Sequence, residues 1–506
     1  MLPPIPIPEN YNVSPVTGFL PEEPPLQRLP DPYYGRWEAI MNNLQPLILT
    51  KRFREMIHRL PILDASRLLT ENEFRRAYMM LTFMAHAYIW SGHTPADRLP
   101  PSICVPLLAV SNYLEVPPVA TYASTCLWNH RFVFEDDSSH EIDNLATLFT
   151  FTGSLDESWF YLISAAIEAK GGPAIGLGLN AIQAARVGQT ETVIVCLQML
   201  AASIEQVGSL LLRMYENCDP HVFYHQIRPY LAGSKNMADA GLPNGVIYDD
   251  YSGYETYRQY SGASAAESSL IQYFDVILGV EHYPTGEKKG DRSGSGSGSG
   301  SGSEAAGKRQ HFLTEMRNYM PQSHRRFLED VDQVSNIRAC VSAHPDNRRL
   351  TEAYDSAISA LREFRNKHIQ LVSRYIIIKS RETTREKYAL QPGRGERPKN
   401  LATAATLLSA TEKAAAAGGG LDRRAEEKGQ TGTGGTALMP FLKQSRDETT
   451  DMVLNRLARD LSKRDRGQPT LSAARRVSVS QAETGRVPGL SRTWTVEDME
   501  GGLCLG

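Results

Sequence analysis

The chain has 506 residues, of which 41% are hydrophobic and 22% are charged, an ordinary balance for a folded protein with a sizeable core. Its 54 basic and 57 acidic residues leave a formal charge of −3. A balance this even argues against nucleic acid or an anionic membrane surface as a partner.

The six cysteines are scattered and form no CxxC pair, so the sequence indicates neither a zinc site nor a disulfide framework. The N-terminus lacks the basic and apolar regions of a signal peptide, and the apolar stretches look too short and too interrupted to span a bilayer. We therefore expect a cytoplasmic protein without a membrane partner, and a monomer.

A small helical domain is expected over residues 1–145. Its first 35 residues are proline-rich and predict an extended segment. Apolar residues then recur at helical spacing in two stretches, 41–61 and 71–92, which end at a proline and a glycine. Two further helices are predicted over 103–116 and 116–129. Alternating strand patterns are almost absent.

A larger helical domain is expected over residues 146–450, which makes the protein all-α. Ser154 and Glu157 have the spacing of a capping box that opens a helix. Residues 191–218 are apolar on a broad face, as in a buried helix. Two flexible inserts, near 285–307 (a Gly/Ser linker) and 380–430, interrupt the domain, and a low-complexity tail at 451–506 is expected to be disordered.

The stretch 361–379, LREFRNKHIQLVSRYIIIK, predicts an amphipathic helix. His368 lies in the middle of its apolar face, with Phe364 one turn before it and Leu371 about one turn after. A neutral imidazole in an apolar wall suits an axial position on haem iron. By spacing alone, a core histidine bonded to a backbone carbonyl is the commoner interpretation.

The segment FRNKHIQLVSRYI resembles the proximal helix of the indoleamine 2,3-dioxygenases, haem enzymes that open the indole ring of tryptophan. In that family the histidine, here His368, ligates iron, and the arginine three residues before it is Arg365. The resemblance implies that Asp275 pairs with Arg365 and supports the proximal helix. It extends, in the family's order, from about residue 25 to 443, apart from the inserts.

The resemblance also implies the substrate side of the site. In FYHQIRPYL, Arg228 matches the arginine that pairs with the substrate carboxylate, and a guanidinium suits a carboxylate because it binds both oxygens. Pro229 predicts a kink or a helix start there. The other matched positions surround the indole, the loop across the haem edge and the lid: Phe160, Phe223, Tyr122, Ser164, Ser264, Ala265 and Thr433.

Phe160 and Tyr161 would be assigned to the core without this resemblance. Ser164 lies inside a helix and outside any GxSxG motif, so we expect its hydroxyl to bond back to the carbonyl four residues earlier. The sequence GTGG near Thr433 is followed by no GK[ST], which argues against a phosphate-binding loop.

The resemblance implies a haem b enzyme that adds both atoms of O2 to L-tryptophan and forms N-formylkynurenine, the first step of the kynurenine pathway towards NAD. No side chain is predicted to act as an acid or base. Two alternatives remain open at this point. One is an oxygen carrier or sensor of the same family, and the other is a helical scaffold in which His368 belongs to the core.

Overall fold

A computed structural model gives the fold. It describes residues 3–137, 139–253, 255–286, 312–383, 432–433 and 437–454, together with the backbone at 487–488 and 493–494. Most of the second insert, nearly all of the Gly/Ser linker and most of the tail lie outside these residues, so their predicted flexibility stays a prediction.

The N-terminal part is helical. Its helices are α1 (Gly35–Met41), α2 (Leu44–Leu49), α3 (Phe53–His58), α4 (Glu71–Trp90) and α5 (Pro101–Leu114). The stretch 41–61 is broken where Lys51 adopts a left-handed conformation, with φ of 57°. The helix predicted over 116–129 is wrong for its first half: residues 116–121 are not helical, and Pro117 and Pro118, which cannot donate backbone hydrogen bonds, lie there in a bend. A π-helical turn follows at Ala123–Leu127.

The larger part contains the helices that surround the site. They are α6 (Leu155–Lys170), α7 (Gly172–Arg186), α8 (Thr190–Leu212), α9 (Met214–Asn217), α10 (Pro220–Val222), α11 (Arg228–Leu231), α12 (Ser269–Leu278), α13 (Phe312–Arg317), α14 (Gln322–Val334), α15 (Ile337–Ala343), α16 (Arg348–Val372) and α17 (Leu438–Asp451). The long helix α16 packs along α8, which also packs against α7, and α17 packs on α16. The all-α prediction is confirmed.

Strands are short wherever the chain is described. The first sheet has the order β1 (Arg98–Leu99), β4 (Val246–Tyr248), β5 (Tyr257–Arg258), and β2 (His130–Phe132) pairs antiparallel with β3 (Leu145–Thr147). Residues 460–506 form a separate unit, in which β6 (Val487–Pro488) pairs antiparallel with β7 (Thr493–Trp494).

One apolar core runs through residues 13–453. Phe83 in α4 stacks on Phe151 with ring centroids 4.4 Å apart, and Phe151 stacks on Tyr230 at 4.9 Å. Residues on both sides of position 145 therefore share this core. The division into two domains at that position stays a prediction.

By length and composition alone, the helical segment Thr190–Asn217, which comprises α8 and α9, could cross a membrane: a window of 18 residues within it has a mean hydropathy of 1.6. The expectation that no stretch reaches this length is therefore wrong. Half of that window is buried inside the protein, and a core helix has the same composition. The contacts of α8 with α7 and α16 are those of a helix packed within a protein.

Candidate active site

A cavity of about 250 Å³ lies between α6, α16, α17 and the loop before α12. Every residue that the sequence selected lines it: Tyr122, Phe160, Ser164, Phe223, Arg228, Ser264, Ala265, Asp275, Arg365, His368 and Thr433. These positions span more than 300 residues of sequence. Their convergence on one cavity therefore depends on the whole helical fold.

His368 belongs to α16, and its ring faces the cavity. Burial, and secondarily the Arg365 guanidinium, lower the pKa of His368 to about 4, so the imidazole is neutral at physiological pH. The apolar side chains of Phe364 and Leu371 flank it on the cavity wall. Among the described residues no hydrogen bond is found for its ring, whereas the core-histidine interpretation requires a carbonyl partner.

Arg365 lies three residues before His368 and is anchored by a buried ion pair. Its Nη2 atom donates to both carboxylate oxygens of Asp275, each at 2.7 Å, and its Nη1 atom donates to the Thr449 hydroxyl in α17. Burial by itself would raise the pKa of Asp275, but Arg365 and His282 outweigh it and hold that pKa at about 2. Asp275 is thus ionised at neutral pH.

His282 extends this cluster to α17. Its Nε2 atom lies 3.1 Å from Asp275 Oδ2, and its Nδ1 atom lies 2.6 Å from Glu448 Oε2. Burial lowers the pKa of His282, but the two carboxylates outweigh burial and raise it above the ordinary value. His282 and Glu448 were missed in the sequence, because neither lies in a recognisable motif and they are 166 positions apart.

Arg228 presents a buried cation to the cavity. Helix α11 begins at Arg228 with Pro229 in its first turn, as the Arg-Pro pair predicted. The residue is 2% exposed, and burial lowers the pKa of its guanidinium to about 9, although the Tyr224 hydroxyl opposes this. A cation in a mainly apolar cavity favours an anionic group of a ligand.

Aromatic rings form the neighbouring wall. The ring centroids of Phe160 and Phe223 lie 4.9 Å apart, and Phe223 meets the Tyr375 ring edge-on at 5.7 Å. Tyr161, the residue after Phe160, is fully buried and donates its hydroxyl to Glu157 at 2.9 Å. Tyr161 therefore belongs to the core, while Phe160 borders the cavity.

The α6 side of the cavity is made by Ser164 and Tyr122. The Ser164 hydroxyl donates to the Phe160 carbonyl at 3.2 Å, which confirms the expected bond four residues back. The Tyr122 hydroxyl lies 3.5 Å from the Ser164 carbonyl.

The predicted capping box at the start of α6 is half formed. The Ser154 hydroxyl oxygen accepts from the Glu157 amide at 3.2 Å, but the Glu157 carboxylate accepts from the Phe151 and Thr152 amides instead of the Ser154 amide.

The expected lid residue is docked on the loop before α12. Thr433 Oγ1 donates to the Ala263 carbonyl at 2.9 Å, and the Gly262 amide donates to the Thr433 carbonyl at 3.1 Å. Ser264 accepts from the Ala266 amide at 3.2 Å, and Ala265 follows it at the cavity edge. Residues 434–436 of the same Gly-rich segment lie outside the described residues.

Three π-helical turns each supply residues to this cavity: Ala123–Leu127, Phe223–Ile227 and Ser373–Ile378. A π turn shifts the following side chains around the helix axis, and such turns are frequent at functional sites. Cys126, Phe223 and Tyr375 reach the cavity from them. No sequence signal marked these turns, because an inserted residue is not visible in the apolar periodicity.

The sequence matches the indoleamine 2,3-dioxygenase family over residues 7–452. An indoleamine 2,3-dioxygenase of Saccharomyces cerevisiae is 41% identical over 458 residues, which cover 88% of this chain and 93% of that protein. The chain belongs to the indoleamine 2,3-dioxygenase family. It is therefore a dioxygenase, an oxidoreductase of tryptophan catabolism, and the family is haem-dependent and acts on indole substrates.

Two further relatives show how wide the family is. A 6-hydroxytryptophan 2,3-dioxygenase of Fusarium equiseti is 36% identical over 446 residues, covering 88% of this chain and 97% of that protein. Indoleamine 2,3-dioxygenase 2 of Homo sapiens is 30% identical over 451 residues, covering 88% of this chain and 95% of that protein. Because all of these relatives are named as dioxygenases, the two alternatives left open by the sequence, an oxygen carrier and a helical scaffold, are disfavoured.

The cavity fits the haem of the family on its own chemistry. His368 supplies a neutral nitrogen donor in an apolar wall, and Phe364, Leu371 and Tyr375 supply surface for a flat macrocycle. Among the described residues no group of three or more His, Cys, Asp or Glu side chains could hold a metal ion by itself. One protein ligand is enough to hold haem iron, because the macrocycle supplies the other donor atoms. A metal site built from side chains alone needs several ligands.

Proposed function

We propose that this chain is a haem b enzyme that converts L-tryptophan and O2 into N-formylkynurenine, both oxygen atoms being inserted across the indole C2–C3 bond. The observation that carries this proposal is the placement of His368 and Arg228 on the walls of one cavity. His368 is the iron ligand in this proposal, and the bound haem supplies the activation of dioxygen.

The remaining wall residues bind and orient the substrate. The buried Arg228 guanidinium pairs with the amino-acid carboxylate, and the low polarity of its surroundings strengthens the attraction between the two charges. Phe160 and Phe223 pack against the indole, while Thr433, Ser264 and Ala265, which also line the cavity, contact the rest of the substrate. The protein thus contributes position and exclusion of water.

Ser164 and Tyr122 bound the pocket without supplying a base. The Ser164 hydroxyl is already committed to the Phe160 carbonyl, and burial raises the pKa of Tyr122 well above its usual range. Asp275 and Arg365 act on His368 through α16 rather than on the substrate.

We further propose that the enzyme acts as a cytoplasmic monomer in the first step of the kynurenine pathway towards NAD, without nucleic acid or membrane partners. The near-neutral charge of −3 supports this, and so do the free cysteines at 104, 126, 196, 218 and 340, which suit a reducing compartment.

The decisive experiment compares haem-loaded wild-type protein with His368→Ala. We expect the wild type to show a Soret band and to form N-formylkynurenine from L-tryptophan, and the variant to lose both. His344→Ala, which changes an exposed histidine, is the matched control and should retain both. A normal Soret band in His368→Ala would show that His368 is not the haem ligand. Wild-type protein that binds haem but forms no product from either tryptophan or 6-hydroxytryptophan would favour an oxygen carrier.

A further inference from the structure

A single glutamine side chain joins three segments of the cavity wall. Gln272 lies in α12, lines the cavity and is 3% exposed. Its Nε2 atom donates to the Ala266 carbonyl at 3.0 Å and to the Leu313 carbonyl at 3.1 Å. Its Oε1 atom accepts from Arg317 Nε at 2.8 Å. Both N–H groups of the amide and its carbonyl oxygen are therefore bonded to protein groups.

The segments that Gln272 holds are themselves parts of the site. Ala266 belongs to the stretch 263–266 of the loop before α12, and every residue of that stretch lines the cavity. Leu313 lies in the first turn of α13 and lines the cavity together with Phe312. Gln272 is therefore the point at which α12, this loop and α13 are connected by hydrogen bonds.

Helix α13 packs on a small apolar cluster that is separate from the main core. The buried members of this cluster are Val119, Phe312, Met316, Tyr319 and Phe441. A partly exposed ion pair between Lys235 and Glu315 also holds the helix. Gln272 meets α13 at the Leu313 carbonyl and at the Arg317 side chain, which are about one helical turn apart. Contacts at two such points restrict both the position of a short helix and its rotation about its own axis.

The three partners require an amide between them. The two carbonyl oxygens accept hydrogen bonds and the guanidinium donates one, so the side chain that joins them must offer two N–H donors and one acceptor. Arg317 also fixes the orientation of the amide, because a flipped amide would place its oxygen against both carbonyls and its nitrogen against the guanidinium. A carboxylate of the same shape would keep the bond to Arg317 alone.

We propose that Gln272 is a positioning residue that holds α13 against the loop 263–266 and thereby sets the selectivity of the cavity for the amino-acid part of the substrate. This inference rests on the proposed function, in which Ser264 and Ala265 of that loop contact the substrate beyond its indole ring. Gln272 acts through the loop, since its own donors and acceptor are taken by protein groups.

The connection between the segments is tested by hydrogen exchange of backbone amides in the full chain, with or without haem. Gln272→Ala removes all three hydrogen bonds, so exchange should become faster in both joined segments, 261–268 and 312–320. Gln198→Ala, on the exposed face of α8, is the matched control and should leave both segments unchanged. Wild-type exchange in either segment of Gln272→Ala would overturn the proposal.

Two further variants cover the case in which Gln272→Ala does not fold. Arg317→Ala keeps the bonds from the amide to both carbonyls, so exchange should become faster over 312–320 and stay unchanged over 261–268. Gln272→Glu keeps the bond to Arg317 but sets an oxygen against both carbonyls, so exchange should become faster in both segments. If these two variants affect the same segments, the amide does not hold the loop.

The selectivity is measured separately, as dissociation constants in the haem-loaded protein. Gln272→Ala should move the ratio of the constants for D- and L-tryptophan towards unity by about two- to tenfold, the worth of one neutral hydrogen bond. The ratio for L-tryptophan and 6-hydroxy-L-tryptophan should stay constant, because Phe160 and Phe223 hold the indole from other segments. A D-to-L ratio that is equal in variant and wild type would overturn the positioning role, since loss of stability alone affects both isomers equally. Absence of tryptophan binding in the wild type would contradict the proposed function and leave the exchange result standing.

Discussion

The guanidinium of Arg365 and the carboxylate of Asp275 form an ion pair in which one nitrogen, Nη2, lies 2.7 Å from each carboxylate oxygen. The pair links α16 to α12 at a point one turn from His368, and both side chains are buried. Thr449 of α17 completes the arrangement, so three helices meet at one cation. The orientation of the helix that carries the imidazole therefore depends on groups that do not belong to the cavity's aromatic wall.

Asp275→Asn should strongly destabilise the protein. Removing one partner of a buried ion pair leaves the Arg365 charge uncompensated, which costs about 3–5 kcal/mol. Chemical denaturation of the purified variant measures this cost. Glu191→Gln is the matched control, because its pair with Arg349 is exposed and is worth less than about 1 kcal/mol. Equal effects of the two substitutions would contradict a structural role for the buried pair.

Arg228 is tested by two substitutions. Arg228→Ala should lower kcat/KM for L-tryptophan by about one to two decades, because a charged hydrogen-bonding partner is worth about 1.5–3 kcal/mol. Arg228→Lys keeps the charge but not the planar fork, so it should recover only part of this loss. Arg349→Ala, on the surface, controls for the general loss of an arginine. If kcat/KM is unaffected in Arg228→Ala, another group holds the carboxylate.

Ser164→Ala should retain turnover to within about tenfold, since one neutral hydrogen bond is worth about 0.5–1.5 kcal/mol. The physical reason is that the Ser164 hydroxyl donates to the Phe160 carbonyl and lies inside a helix without a histidine bonded to it. Turnover of haem-loaded protein is the measurement. A loss of several orders of magnitude with a normal spectrum would instead give Ser164 a proton-transfer role.

His282 should make the stability of the protein depend on pH. Its pKa is raised in the folded state, because Asp275 and Glu448 outweigh burial, so the folded protein binds its proton more tightly than the unfolded chain does. The stabilisation is fully present below the unfolded pKa of about 6.5. It is lost as the pH rises through the folded pKa.

Replacing the imidazole with a neutral amide, in His282→Asn, should remove this contribution. The free energy of unfolding of the wild type, measured as a function of pH, should therefore exceed that of the variant most at low pH and approach it as the pH rises. His344→Asn, at an exposed position, should leave the pH profile unchanged. A constant difference between wild type and His282→Asn at every pH would mean that the imidazole acts by packing alone.

The sequence by itself determined the helical class of the protein, because apolar spacing is a local property that each helix carries within its own residues. Three local features depend on neighbours within about four positions: the helix around His368, the helix start at Arg228 and the back-bonded hydroxyl of Ser164. All three could therefore be derived from sequence, and the family resemblance named the cavity residues that the structure then brings together.

Only the tertiary structure decided what surrounds these residues. The contacts of His282 with Asp275 and Glu448, and the hydrogen bond of Ser268 to Glu168, join positions that are far apart in the chain. The three π-helical turns also escaped the sequence, because they shift side chains without changing composition. Such features arise from packing and desolvation, which raise or lower a pKa according to neighbours that no local pattern encodes.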